Sequence, residues 1–201
     1  MEYNKYKQLI AELGKHFYNL GWVSGTGGGI SIKDGNNIYI APSGVQKDRI
    51  NPEDIFLVNL NGDVIEKPLN DLRISECTPI FLEIFKTNNS GAVIHSHSVN
   101  TVLVTDLFED YFICKNLEMQ KGIEGYGIFD ELKVPIIENT SKEYELVGSI
   151  IKAIKDNAKT KAVLVNGHGI YVWGNSWEQT KKHAECYDYL FKVEIERRKL
   201  L

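Results

Sequence analysis

Gly91-Ala92-Val93-Ile94-His95-Ser96-His97 is the stretch on which the reading of this chain turns. A short apolar run leading into a His-x-His pair predicts a buried strand. Side chains at i and i+2 of a strand share a face, with Cα atoms roughly 6.5 to 7 Å apart. Both imidazoles then converge, close enough to hold one metal ion. Taken alone, the pair reads equally as two half-buried strand histidines with ordinary hydrogen-bond partners.

A third ligand is found far downstream, in Asn166-Gly167-His168-Gly169-Ile170, directly after the apolar run Ala162-Val163-Leu164-Val165. Glycine on both sides of a histidine, between apolar segments, predicts the tip of a hairpin. Three imidazoles with one position left open describe a catalytic zinc site rather than a structural one, which usually has four ligands rich in cysteine. His16 and His183 fall within helical patterns and have no partner at ligand spacing, so they read as structural or solvent-facing.

A chain of 201 residues fits a single domain, residues 1–201, with a substantial core. With 43% apolar and 25% charged residues it has an ordinary soluble composition. The net charge of -4 and the absence of a basic stripe exclude a nucleic-acid partner, because nothing is available to displace counterions from phosphates. No apolar run approaches the roughly 18 residues of a membrane span, and Met1-Glu2-Tyr3-Asn4-Lys5 lacks a signal-peptide hydrophobic region, so no membrane association and a cytoplasmic location are expected. Cys77, Cys114 and Cys186 form no Cys-x-x-Cys pair and read as free thiols in a reducing compartment.

Outward from the histidines, helical spacing marks residues 3–20, with Gly21 as the stop. Hairpins are expected around Asp34-Gly35-Asn36-Asn37 and around Asn61-Gly62-Asp63, with Ala41-Pro42-Ser43-Gly44 as a further turn. Residues 79–85 form a helical face with Thr78 as the candidate cap and Pro79 in the tolerated first position. Residues 99–107, 144–155 (capped by Ser141 or Thr140) and 177–200 read as helices, and 134–137 as a short strand. Helices alternating with hairpins predict an α/β fold: a three-layer α/β/α sandwich with a mixed, mainly antiparallel central sheet.

The loop Ser24-Gly25-Thr26-Gly27-Gly28-Gly29 can offer backbone N–H groups and the Thr26 hydroxyl to a phosphate, because absent side chains let an anion approach. It precedes a strand and lacks Gly-Lys-Ser/Thr, so it is neither a dinucleotide fingerprint nor a P-loop. On its own such a loop is more often a turn. Ser43-Gly44, at the far end of the hairpin that starts at Gly29, can return a second hydroxyl and N–H to the same edge. Lys47 can add a positive charge there, or stand in solvent. Glu118 is one candidate base among several acids, with Ile113, Leu117 and Met119 around it to desolvate it.

These motifs together resemble the class II aldolase superfamily. The resemblance rests on residues 21–31, 39–47, 77–79, 92–98, 134–140, 168–174 and 185–191, and covers essentially the whole chain. It implies the class II aldolase-like fold, with one Zn2+ per subunit held by His95, His97 and His168. It implies Glu118 as the acid/base. Cys77 falls where the sugar-phosphate aldolases of the superfamily carry their catalytic Glu, which favours dehydration, with the thiol lining the substrate pocket. The implied substrate is a small sugar phosphate, a five-carbon ketose with a methylthio group at one end, bound with Thr26, Gly27, Gly28, Ser43, Gly44 and Lys47 nearby. An aldolase or epimerase using the same zinc is the alternative. The resemblance also implies a homo-oligomer, commonly a tetramer with active sites near subunit interfaces.

Overall fold

The computed structural model describes residues 4–200. The expected start of the first helix at residue 3, and Met1-Glu2-Tyr3 of the N-terminal segment, lie outside the described residues.

Helix α1 (Lys5–Asn19) is capped by Asn4, whose side chain accepts from the Tyr6 N–H; it buries Ile10, Leu13 and Phe17. Gly21, at φ 75°, turns the chain after it. The first hairpin forms as β1 (Gly29–Asp34) and β2 (Asn37–Ile40), tightening to the two-residue turn Gly35-Asn36. The turn expected at Ala41–Gly44 is in part a strand. β3 (Pro42–Ser43) pairs with β6 (Arg73–Ile74), so that Ser43 faces Arg73 across a small second sheet. Between them lies the second hairpin, β4 (Phe56–Val58) and β5 (Val64–Glu66).

Helix α2 (Thr78–Asn88) starts one residue earlier than expected, and Cys77 rather than Thr78 occupies the cap position. The Thr78 hydroxyl donates to the Ser75 carbonyl instead, at 2.6 Å. The histidine strand β7 (Ala92–Ser96) ends one residue before His97 and is followed by α3 (Val99–Thr105), capped by Ser98. β8 (Tyr111–Cys114), a strand the sequence pattern did not announce, pairs with β9 (Leu132–Ile137). The helix expected from residue 144 is α4 (Val147–Asp156), entered through a 3-10 turn at Glu143–Leu146 with no side-chain cap from Ser141 or Thr140. The last hairpin is β10 (Ala162–Val165) and β11 (Gly169–Gly174), and α5 (Trp177–Arg198) closes the fold with Ala184, Tyr187, Leu190, Phe191 and Ile195 buried as expected.

The main sheet has the order β5-β4-β2-β1-β7-β11-β10-β9-β8. Only β9 and β10, joined across α4, run parallel. The sheet is therefore mixed and mainly antiparallel, and both faces carry an apolar layer. One face packs on residues of α1, α3 and α5, the other on residues of α2 and α4, giving the expected three layers. Among the described residues no helix is long and apolar enough to cross a membrane.

Strand order places the site. β7 lies at the middle of the sheet with all five residues buried, and its two neighbours set Gly29 of β1 and Tyr171 of β11 directly beside His95. Val93 points into the layer under α2 and α4, whereas Ile94 points into the opposite one. By strand alternation His95 joins Val93 on the α2/α4 face.

Candidate metal centre

His95, His97 and His168 come together as expected, and a carboxylate joins them: Glu143, from the turn that enters α4. One ligand atom from each of the four lies within 4.8 Å of every other. His95 Nε2 is 2.8 Å from His97 Nε2, which is 3.1 Å from His168 Nε2.

The outer hydrogen bonds decide which ring nitrogens are free. His95 Nδ1 lies 3.1 Å from the Ile170 carbonyl, which only accepts, so Nδ1 carries the proton and Nε2 a lone pair. His168 Nδ1 lies 3.2 Å from Asn139 Oδ1, which also accepts from the Thr140 N–H; the amide oxygen is thus the atom facing the ring, and His168 Nε2 is free as well. Two lone pairs thus converge beside His97 Nε2, where all three nitrogens could hold one cation. Orientation of the second ring nitrogen by a carbonyl or amide is also the usual support of a metal-bound histidine. The donor set therefore fits a divalent ion, with nitrogen and oxygen donors of the kind zinc accepts.

Burial reinforces that protonation pattern. Desolvation holds His95 well below the usual histidine range, and desolvation followed by the neighbouring His168 takes His97 down to about 4. For Glu143 burial acts upward, but the His168 contact, the His95 field and the Tyr171 hydroxyl outweigh it and hold the carboxyl at about 2. The group is an anion at neutral pH.

Each member is set by a different element. Ser98 and Asn100 both bond Asp188 of α5, which anchors the chain just after His97. The Gly167 N–H donates to the Thr105 hydroxyl of α3 at 3.1 Å, fixing the tip that carries His168. Gly167 has φ 60°, the left-handed conformation its expected turn role requires. Tyr171 stacks on the His95 ring at 4.0 Å and donates to Glu143 Oε2 at 2.5 Å.

The glycine loop borders the histidines. Thr26, Gly27, Gly28, Ser43 and Gly44 line one cavity of about 260 Å³ with Cys77, His95, His97 and Glu143. Arg73, which the sequence reading passed over, lines it too, brought there by the Ser43–Arg73 pairing. A second cavity of about 400 Å³ reaches His97, Glu143 and His168 from the Asn139–Ser141 side. Burial, and then the Glu143 charge, push the Cys77 thiol up to about 12, so the group lining the first cavity is a neutral thiol.

Two expected residues sit elsewhere. Lys47 is buried, not in open solvent and not among the cavity residues; its Nζ donates to the carbonyls of Thr26 and Val45 at 3.1 and 3.2 Å. It braces the loop from behind. Glu118 lies on a 3-10 turn with its side chain 70% exposed and paired to Lys121, outside the four-residue cluster and both cavities. The desolvation expected from its neighbours does not occur within one chain, because β8 is the sheet's edge strand and Ile113 is itself exposed. His183 is structural as expected, its Nδ1 donating to the Trp173 carbonyl at 2.8 Å.

Comparison with known proteins identifies the family of the chain. The class II aldolase and adducin N-terminal domain family matches residues 8–195. A methylthioribulose-1-phosphate dehydratase of Bos taurus is 50% identical over 94% of this chain and 82% of its own. A probable methylthioribulose-1-phosphate dehydratase of Drosophila pseudoobscura pseudoobscura is 48% identical over 96% and 88%. Among solved structures, an L-fuculose 1-phosphate aldolase superposes with a TM-score of 0.80 at 24% identity, over 100% of this chain and 89% of that one, a likeness of fold. With its fold, its histidine cluster and relatives near half identity over nearly its full length, the chain belongs to the class II aldolase and adducin N-terminal domain family and, within it, to the methylthioribulose-1-phosphate dehydratases.

Proposed function

We propose that this protein is a zinc-dependent hydro-lyase of methionine salvage. It removes water from 5-methylthioribulose 1-phosphate to give 2,3-diketo-5-methylthiopentyl 1-phosphate. The observation that carries the reading is the convergence of His95, His97 and His168, with two Nε2 lone pairs fixed by outer hydrogen bonds, beside a cavity lined by a glycine loop. The names of relatives near half identity supply the substrate.

A divalent cation held by His95, His97 and His168 would supply Lewis-acid stabilisation of the negative charge that develops on the substrate's carbonyl oxygen. The chain's own groups do the rest. Thr26, Gly27, Gly28, Ser43 and Gly44 hold the phosphate, and Arg73 provides the charge that the sequence reading sought in Lys47. Cys77, neutral, lines the pocket where an aldolase would carry a carboxylate, so that position offers no base for aldol chemistry. Glu118 takes the proton from C3, the C4–O bond breaks, and the proton is returned to the departing hydroxyl, so that water leaves. The resulting enol then tautomerises to the diketone.

For Glu118 to reach the substrate, it must act from a neighbouring subunit. Its exposure supports this, as do the apolar residues Val99, Leu103, Tyr111 and Ile113 left exposed on α3 and β8. We therefore read the protein as one class II aldolase-like domain in a homo-oligomer, and propose a tetramer. Its three free thiols suit a reducing, cytoplasmic setting.

The test is to incubate the zinc-loaded protein with 5-methylthioribulose 1-phosphate and follow the products. Diketone phosphate is expected; an aldehyde with a three-carbon phosphate would establish the aldolase alternative. No turnover with metal bound would refute the dehydratase reading. Mixing the inactive variants Glu118→Gln and His97→Ala should restore part of the activity, because a mixed interface pairs an intact Glu118 with an intact metal centre.

A further inference from the structure

We propose that Glu143 is a fourth protein ligand of the metal and that Tyr171 is the positioning residue that aims it. The inference rests on the metal site of the proposed function and extends it from three donors to four.

The two oxygens of Glu143 have different surroundings. Oε2 accepts the Tyr171 hydroxyl at 2.5 Å. Oε1 faces inward, 3.3 Å from His168 Nε2 and 3.7 Å from His95 Nε2. With each ring neutral and donating from Nδ1, to Asn139 and Ile170, both Nε2 atoms turn a lone pair toward it. Oε1 is thus an anionic acceptor set against two lone pairs, an arrangement that repels in the absence of a cation and is satisfied by one. Among the described residues Glu143 is the single carboxylate of the group.

Tyr171 is built to hold that oxygen in place. Register sets it beside His95, its ring lies within 5° of parallel to the imidazole, and it is fully buried. One rigid side chain therefore fixes the ring plane of one ligand and, through its hydroxyl, the carboxylate of another. With Oε2 committed to Tyr171, the metal is left Oε1, a single-oxygen contact.

The sequence pattern points elsewhere, because Glu143 was expected to precede a helix capped by Ser141 or Thr140. The 3-10 turn that replaces this start carries Glu143, whose Oε1 lies 3.3 Å from His168 Nε2 at the hairpin tip.

The experiment compares wild type, Glu143→Gln, Glu143→Asp, Tyr171→Phe and the double variant Glu143→Gln/Tyr171→Phe. Zn2+ affinity is measured against a chromophoric chelator, and the visible absorption of the Co2+-substituted proteins is recorded. Far-UV circular dichroism confirms the fold. Glu143→Gln is expected to weaken Zn2+ binding by about 100-fold and to alter the Co2+ bands, with Glu143→Asp intermediate. Tyr171→Phe keeps the ring stack and is expected to lose about 10-fold, in the range of lost outer-ligand support. It should cost nothing further in the double variant, a result that a merely structural tyrosine would not produce. Unchanged affinity and an unchanged Co2+ spectrum in Glu143→Gln would overturn the inference while leaving the three-histidine site intact. A wild type that binds neither Zn2+ nor Co2+ would overturn the metal reading itself.

Discussion

Replacing Gly27 by alanine tests whether the glycine loop sets the position of His97 in the proposed metal site. Gly27 lies outside the left-handed region, so alanine strains no backbone angle there. A Cβ at this position would stand 2.5 Å from His97 Nδ1 and 3.0 Å from Cε1. Ordinary contact begins near 3.4 Å, so the ring has to retreat by about 0.9 Å. His97 has little room, with His95 Nε2 at 2.8 Å and His168 Nε2 at 3.1 Å on its far edge. Metal–nitrogen bonds tolerate roughly 0.2 Å, so the displacement exceeds the tolerance several-fold. Overpacking of this kind costs about 1–3 kcal/mol of stability, which a domain of this size survives. The expected result is a folded protein whose Zn2+ affinity has dropped by about 100-fold or more, measured by chelator competition alongside urea unfolding. Gly148→Ala is the control: nothing lies within 4 Å of its Cβ, and it should leave affinity unchanged. Wild-type Zn2+ affinity in Gly27→Ala would show that the loop yields instead of the ring, and the argument from close approach would fail.

Asn139→Leu removes the acceptor that holds the His168 tautomer and should lower Zn2+ affinity by about 10- to 100-fold with little change in melting temperature, since Asn139 is exposed. Arg73→Met should raise KM for the phosphorylated substrate by about 10-fold or more with kcat largely kept, as expected for loss of a charge-assisted phosphate contact; an unchanged KM would remove Arg73 from the site. Metal-free protein should lose stability as pH falls from about 6.5 to about 4. Burial lowers His95, His97 and His183 in the folded state, so the unfolded chain binds more protons in that window and acid favours unfolding; Glu143, held at about 2, adds a further loss below 4.5. Urea midpoints that stay flat between pH 7 and 4.5 would contradict this.

Alternation and turn residues made much of the sheet legible, because apolar run, hairpin tip and His-x-His spacing are local patterns. The same rules missed β8 and mistook part of 41–44 for a turn. In β8 the outward residues Tyr111 and Ile113 are themselves apolar, so alternation gives no signal. β3 has two residues, too few to show a period, and exists by pairing with a strand about 30 residues away.

What the sequence alone determined is the set of parts: three histidines at metal-ligand spacing, a glycine loop, a mixed sheet between helices and the superfamily they compose. Side-chain period and backbone freedom are properties of a few consecutive residues and survive without the fold. Only the tertiary structure decided how the parts meet. Arg73 reaches the glycine-loop cavity through its pairing with Ser43, Tyr171 meets His95 through the register of β11 on β7, and Glu143 joins the histidines because α4 begins late. Lys47 turned inward as a brace, and Glu118 stayed on the surface of its own chain. Each of these follows from strand order and from contacts between distant segments, which no local periodicity encodes.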